Sequence, residues 1–296
     1  MSFALFLALI PTTDEAQSLS APPSETPTAA AAPAQEFWLN GPHRPVWIRA
    51  RLDVGTLGVL SHDIQFGKNG TQFNYVTEGG QNNLYLYLRA EAEAVLAQRH
   101  SIVLVYQPIN VVTESTLQND LQVYETKFNA GTPMRFRYGF DFVRLSYLFD
   151  LLPSDNDELS VGAGLQLRNA VIDFGAQDGS AFISNRNIGP VPLLAGRARF
   201  TADDGPLAGM FWGGEVSGFW ASGRIITGSL NDFEGAILDT QLKAGVPIAR
   251  FADVYLAARV IGGGARGVEE DSDEGGDGFT NNWLWTGILS VGAELR

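Results

Sequence analysis

Hydrophobic and polar residues alternate with a period of two along most of the chain after residue 46. In residues 83–96, NLYLYLRAEAEAVL, the leucines and alanines fall on one face, and Tyr85, Tyr87, Arg89, Glu91 and Glu93 fall on the other. A helix of this sequence would spread charge around its whole circumference, whereas a strand separates the two sets. The pattern therefore predicts β-strands, each with one apolar face and one polar face.

Segments with this alternation predict an all-β protein of about ten strands, with eight or twelve as alternatives. Most are longer than the strands of soluble proteins and long enough to cross a membrane at a tilt. Two of them change parity partway, near Phe142–Val143 and near Asn169–Ala170, which indicates either bulges or strand ends that rise beyond the membrane. The predicted strands are 46–66, 83–97, 100–114, 133–150, 157–174, 190–203, 206–223, 232–248, 252–265 and 281–295.

Short links between these strands alternate with long ones, such as 67–82 and 115–132. Short turns at one end and long loops at the other are typical of outer-membrane barrels. We therefore expect a closed, antiparallel, up-and-down transmembrane β-barrel with both chain ends on the periplasmic side. Its apolar faces would meet lipid and its charged faces would line the lumen, because a closed barrel satisfies every backbone group without water.

The charged strand positions predict the contents of that lumen. Eight bases face six acids, which suits an interior of paired ions, so most of the acidic excess would lie in loops and tails. The predicted lumen residues are Arg49, Arg51, Asp53, Arg89, Glu91, Glu93, Arg168, Arg197, Arg199, Glu215, Asp239, Lys243, Arg259 and Glu294.

Tryptophans indicate where the membrane surfaces lie. Trp212 and Trp220 share one strand face, and eight residues of tilted strand separate them by roughly 20 Å along the membrane normal, close to the span between two aromatic girdles. Trp47 would mark the periplasmic rim of the first strand, and Trp283 or Trp285 the outer rim of the last.

The N-terminal region has a different composition from the barrel. Residues 2–10 are apolar like the core of a signal peptide, although no basic residues precede them, and we assign residues 1–18 to a signal peptide. Residues 19–45 are rich in Pro and Ala and predict a disordered periplasmic arm. Residues 46–296 would form the barrel.

Overall composition narrows the chemistry. There are 33 acidic and 20 basic residues, a net charge of -13, three histidines and no cysteine. The acidic balance argues against nucleic acid as a partner, and the missing cysteines exclude thiolate catalysis and cysteine-ligated metals. We expect no cofactor and no metal site.

At this point the chain resembles bacterial outer-membrane β-barrels, in particular a functionally uncharacterised group of them. The resemblance covers residues 46–296 and implies a fold and a location rather than an activity. Many such barrels end in an aromatic residue, whereas this sequence ends Glu294-Leu295-Arg296. The segments that carry the resemblance are FNYVTEGGQNNLYLYLRAEAEA, RHSIVLVYQPINVV, FRYGFDFVRLSYLFDLL, NRNIGPVPLLAGRARF and DFEGAILDTQLKAGV.

Three features are candidates for chemistry. Charges at the periplasmic end of the lumen would form either an ion gate or a plug of ion pairs, and the plug is favoured because buried charges must pair in any case. His62 would lie at the height where some outer-membrane hydrolases place a catalytic histidine, but the adjacent Asp63 points to the opposite face. Residues 269–278, EEDSDEGGDG, only partly match a calcium loop and favour a solvated acidic loop.

These observations lead to one preferred function and two alternatives. We expect a non-enzymatic barrel of the Gram-negative outer membrane with a largely plugged lumen and a structural, anchoring or narrow-pore role. The alternatives are a porin for small solutes or ions and a surface hydrolase. The expected partners are outer-membrane lipid, lipopolysaccharide and the outer-membrane assembly machinery, and the barrel is expected to be a monomer.

Overall fold

The computed structural model describes residues 46–152, 154, 156–222, 233–268 and 277–296. The predicted signal peptide (1–18) and periplasmic arm (19–45) lie outside the described residues. Within the described residues, no helix has the length and apolar character needed to span a membrane.

The described chain forms fourteen β-strands and one short 3-10 turn at Gly205–Leu207. The strands are β1 (Val46–Phe66), β2 (Phe73–Asn74), β3 (Leu84–Leu96), β4 (His100–Gln107), β5 (Asn110–Thr116), β6 (Leu121–Val123), β7 (Thr126–Phe128), β8 (Pro133–Asp150), β9 (Glu158–Ala176), β10 (Phe182–Thr201), β11 (Phe211–Ser222), β12 (Glu234–Ala249), β13 (Ala252–Val268) and β14 (Phe279–Leu295).

The long strands close into an antiparallel barrel. Each pairs with its neighbour in sequence order, and β14 pairs back with β1, where Val54 lies opposite Val291. The short strands β4 and β5 both pair with β8 and together fill one position in the wall. The wall therefore has ten strand positions, which confirms the predicted barrel and its strand number.

Side chains in the lower part of the barrel, at the end with the short turns between strands, point the way the alternation predicts. The outer surface carries exposed leucines such as Leu86, Leu242 and Leu289, while Arg51, Glu93 and Glu294 are buried inside. A water-soluble barrel has the opposite arrangement, with apolar residues inside and charges outside. This chain is an outer-membrane β-barrel, with its apolar surface turned to lipid.

The outer end of the barrel has a different interior. On β8, Met134, Phe136 and Tyr138 point inward and are buried, while Arg135 and Arg137 between them are exposed. Apolar residues inside and charged residues outside are typical of a water-soluble protein, so the outer end of β8 extends beyond the lipid.

The two predicted changes of parity arise because the surroundings of the outward face change from lipid to water along these strands. Strands β8 and β9 pair without a register shift from Met134↔Ala176 to Asp150↔Ser160, and inward positions keep one parity throughout. Bulges at these two sites are therefore absent, and the alternative interpretation, strand ends beyond the membrane, is the one the structure supports. The residue types change faces because the surroundings change from lipid to water.

A bulge that the sequence analysis did not predict lies on β1. The register with β14 shifts between Val59 and Ser61, so inward positions change from odd numbers to even ones. His62, Ile64 and Phe66 consequently point inward. They join Phe73 of β2 and Tyr75, which follows β2, in an aromatic core that fills part of the outer lumen.

Candidate functional site: an ion-pair network across the lumen

The lower lumen is filled by ion pairs that begin at Arg51 on β1. The register places Glu91 of β3 on one side of Arg51 and Glu294 of β14 on the other. The guanidinium donates from Nε to Glu294 Oε2 at 2.5 Å and from Nη2 to Glu93 Oε2 at 3.2 Å, and Nη1 also contacts Glu91. One buried arginine therefore ties three neighbouring strands together.

Two arginines of β10 carry the network across the barrel. Arg197 lies 2.6 Å from Glu93 and 2.6 Å from Glu158. Arg199 donates to Glu294 at 2.9 Å and to Asp253 at 2.8 Å. Because β10 lies opposite β1 in the wall, the pairs with Glu93 of β3 and Glu294 of β14 bridge the lumen, whereas Glu158 lies on the neighbouring strand β9.

A second group of pairs lies nearer the outer end. Asp239 accepts from Arg259 Nε at 2.6 Å and lies 2.9 Å from Arg144 Nη2. Arg259 also donates to the Tyr87 hydroxyl at 2.6 Å. Lys243 lies 2.8 Å from Glu215, which also contacts Arg89 at 3.4 Å.

The structure brings together thirteen of the fourteen predicted lumen residues, Asp53 among them through a contact of 3.7 Å with Arg89. The exception is Arg168, which lies higher in the lumen. Three members were missed: Arg144, because it follows the apparent parity change, and Glu158 and Asp253, because they lie where strands begin. The described network then has equal numbers of bases and acids, apart from Arg296 at its lower edge.

The predicted girdle residues divide into two groups. Trp212, Trp220 and Trp285 are exposed on the outer surface, and Trp283 shares the outward parity of Trp285 on β14. Trp47 differs from the prediction. It shares the inward face of β1 with Arg49, whose guanidinium lies 5.1 Å from the indole ring centre. Its indole therefore contacts the lower end of the network instead of lipid.

His62, the candidate catalytic histidine, is fully buried in the aromatic core. Nδ1 lies 2.8 Å from Gln81 Oε1 and Nε2 lies 3.3 Å from Asn282 Oδ1. The imidazole stacks on Tyr75 at 4.5 Å between ring centres and meets the edge of Tyr138 at 4.5 Å. These contacts are those of a core residue that packs and hydrogen-bonds.

No metal site is apparent in the part of the chain that the structure describes, where no three His, Asp or Glu side chains are grouped suitably. Most of the acidic segment, residues 269–276, lies outside the described residues. Asp277 accepts backbone hydrogen bonds from Lys68 at 2.9 Å and Phe279 at 3.0 Å. These hydrogen bonds hold the pKa of the Asp277 carboxyl below its ordinary value.

No protein-family model matches the sequence, and no curated protein sequence matches it. Among solved structures, the outer membrane protease OmpT from Escherichia coli is similar with a TM-score of 0.49 and 13% identity, over 84% of this chain and 96% of that one. A Pseudomonas aeruginosa FadL homologue has a TM-score of 0.31 and 10% identity, over 84% and 90%. The P. putida toluene transporter TodX has a TM-score of 0.29 and 8% identity over the same shares.

Proposed function

We propose that this chain is a closed outer-membrane barrel that anchors a folded outer end at the cell surface and does not conduct ions. One observation carries the proposal: the charged side chains that cross the lower lumen are buried. Arg51 is 4% exposed, Glu93 2% and Glu294 1%. In a water-filled pore, such groups would be in contact with solvent.

Side chains occupy the lumen both in its lower part and at its outer end. A barrel of about ten strands encloses a space that side chains can fill. Here ion pairs fill the lower part, and Phe66, Phe136 and Phe174 fill part of the outer end. Because removing one partner from a buried ion pair leaves an uncompensated charge, the paired state resists opening. This supports a structural role over the porin alternative.

Planar-bilayer recording tests this function directly. The wild-type barrel should give no conductance steps. A variant with Arg51→Gly, Glu93→Gly and Glu294→Gly should give small steps, because these changes empty the centre of the network. Heat-modifiable mobility on gels and protease protection in liposomes establish that each protein is folded and inserted. Wild-type steps that change with Arg51→Ala or Glu91→Gln would instead support a channel.

We also infer that the barrel is not a hydrolase, because its candidate histidine has the contacts of a core residue. The purified protein should not hydrolyse peptide or ester substrates, and His62→Ala should leave that background unchanged. Wild-type hydrolysis that disappears in His62→Ala would contradict this inference. The proposed partners are outer-membrane lipid and lipopolysaccharide around the apolar surface, together with the assembly machinery. The proposed state is a monomer, which light scattering in detergent can test.

A further inference from the structure

The outer half of the lumen contains a cavity of about 490 Å³ beside the aromatic core. This volume lies within the range of small-molecule sites, which are mostly apolar with a few polar groups. Its walls include Phe140, Ile172, Phe219, Ile237 and Ile261, contributed by strands β8 to β13. The cavity therefore offers an apolar surface large enough for the chain of a lipid-like molecule.

Arg168 is the one charged side chain among the described residues that line this cavity. Each of the lysine and arginine residues in the network below has a carboxylate within 4.0 Å, whereas the described residues place none that close to Arg168. Arg168 Nη2 donates to Asn187 Oδ1 at 3.0 Å, and its buried Nε has no partner in the described chain.

The guanidinium of Arg168 can therefore form hydrogen bonds beyond the one it makes to Asn187. A guanidinium has five N–H donors in a planar fork that matches a carboxylate. Holding such a cation against apolar walls is costly unless an anion pairs with it. The cavity therefore combines an apolar surface with an unmatched positive charge, and the complementary ligand has an apolar chain and one negative charge.

The barrel wall beside the cavity is open between β10 and β11. Their pairing begins at Thr201↔Phe211 and stops at Leu194↔Gly218. Beyond that point β10 continues to Phe182 and β11 to Ser222, each still paired with its other neighbour. Because both strands continue past Leu194↔Gly218 and keep their other neighbours, the interruption lies in the pairing of β10 with β11 and not in either strand.

Two prolines account for the open seam. Pro190 and Pro192 have no N–H to donate, and residues two apart in a strand direct their backbone groups toward the same neighbour. Since β10 keeps its full ladder with β9, the missing donors belong on the β11 side. Both prolines line the cavity from β10, and Phe219 and Ala221 line it from β11. The cavity thus reaches the wall at the open seam.

Outward residues fix the height of this opening. Leu194, at the end of the paired segment, and Trp220, just beyond it on β11, are both exposed on the outer surface. Trp220 has the position of the outer aromatic girdle, at the boundary between acyl chains and head groups. The opening therefore faces the outer leaflet.

We propose that the cavity binds a long-chain monocarboxylate, with its carboxylate on Arg168 and its chain along the apolar wall, and that this ligand enters from the outer leaflet between β10 and β11. A single guanidinium matches a single negative charge, which favours a carboxylate over a phosphate head group of higher charge. The proposal concerns the outer cavity and is independent of whether the lower lumen conducts.

Binding to the purified full-length barrel tests the ligand class. The probes are palmitate, its methyl ester and hexadecyl phosphate, each competing with a fluorescent long-chain carboxylate. Arg168→Gln should weaken palmitate binding by about 10- to 100-fold, as expected for a lost charged hydrogen-bond pair. It should not weaken binding of the ester. The matched control is Arg137→Gln, which removes an exposed arginine of β8 paired with Asp173 and should change nothing.

Three results would overturn the assignment: no palmitate binding by the wild type, equal binding by wild type and Arg168→Gln, or tighter binding of hexadecyl phosphate than of palmitate. Arg168→Lys keeps the charge and should retain most of the affinity, which separates loss of charge from loss of fold. A barrel silent in bilayers that nevertheless binds palmitate satisfies both proposals, and either can fail alone.

A cross-link tests the route of entry. The chain has no cysteine, so Val191→Cys with Ala221→Cys places a unique thiol pair across the seam. Bridging this pair with a reductant-cleavable bifunctional reagent should slow palmitate association at least about tenfold, and reductant should restore the rate. An unchanged rate in fully bridged protein would overturn entry through this seam.

Discussion

Asp239→Asn tests how strongly the lumen network holds the barrel together. Asp239 is buried on β12 and accepts hydrogen bonds from Arg259 at Nε and Nη2, while Arg144 Nη2 lies 2.9 Å from its Oδ2. The substitution keeps the shape of the side chain and removes its charge, so two buried guanidiniums lose their shared anion.

The size of the effect follows from these contacts. Breaking a buried ion pair by removing one partner typically costs about 3–5 kcal/mol. Arg259 keeps its hydrogen bond to Tyr87, and Arg144 keeps those to Gln166 and Ser217, so we expect a loss near the lower end of that range. With a urea m-value of roughly 3 kcal/mol per molar, the unfolding midpoint should fall by about 1 M.

The assay is equilibrium urea unfolding in detergent micelles, followed by tryptophan fluorescence. Asp63→Asn is the matched control, because Asp63 is exposed on β1 and contacts only neighbouring polar groups in the described structure. We expect that control to change stability by less than about 0.5 kcal/mol. Adding Arg144→Met to Asp239→Asn removes one unmatched cation, so the double variant should lose less than the sum of the single variants. An Asp239→Asn barrel as stable as the control, or strictly additive losses, would refute the account of a coupled network.

Three further predictions concern other parts of the barrel. Gly292→Val should destabilise by about 1–3 kcal/mol, since a Cβ at Gly292 would lie 2.2 Å from the Tyr255 ring; unchanged urea unfolding would count against this packing. His62→Ala should cost about 2–4 kcal/mol, because it opens a cavity in the aromatic core and leaves the buried Gln81 amide without its partner; the same unfolding assay measures it, and a neutral result would argue against a structural role. Lys127 and the backbone N–H of Ala130 donate to Asp120 and lower the pKa of its carboxyl below the ordinary value of 3.8. As the pH falls, the Asp120 carboxylate should therefore keep both contacts to a pH below 3.8. The amide resonance of Ala130 should titrate with a midpoint below 3.8, and a midpoint above 3.8 would contradict the contact.

The sequence predicts the membrane part of this barrel well because lipid enforces strict alternation there. Positions such as Arg51 and Glu93 had to face inward once their neighbours Leu52 and Ala94 were assigned to lipid. The register of neighbouring strands then brought oppositely charged residues together, as Arg51 and Glu91 show.

The outer end was harder to predict because lipid no longer dictates which face is apolar. Phe136 and Arg137 reverse the pattern of the membrane part without reversing their directions, so the apparent parity change concealed Arg144. The bulge at Leu60 leaves no distinctive residue pattern, and it decides that His62 points inward. Trp47 was assigned to the girdle because it is aromatic and near a rim, although its parity matches Arg49.

The open seam between β10 and β11 could be foreseen only in part. Pro190 and Pro192 indicate a strand edge without donors, but the sequence does not tell which neighbouring strand faces that edge. The isolation of Arg168 depends likewise on its height in the lumen, above the acids that pair with the other arginines. Both features depend on the register between neighbouring strands. Alternation does not determine this register, because a shift by two residues keeps every side chain on the same face.

The central claim is that the apolar face of these strands contacts acyl chains while the charged face is enclosed, and spin labelling tests it most directly. Because the chain has no cysteine, single labels can be placed at Leu242, which is exposed, and at its buried neighbour Gln241 in a barrel reconstituted in lipid. The label at Leu242 should collide frequently with oxygen and rarely with a water-soluble nickel chelate, and the label at Gln241 should be immobilised and shielded from both. Frequent collisions of the Leu242 label with the nickel chelate would contradict the claim.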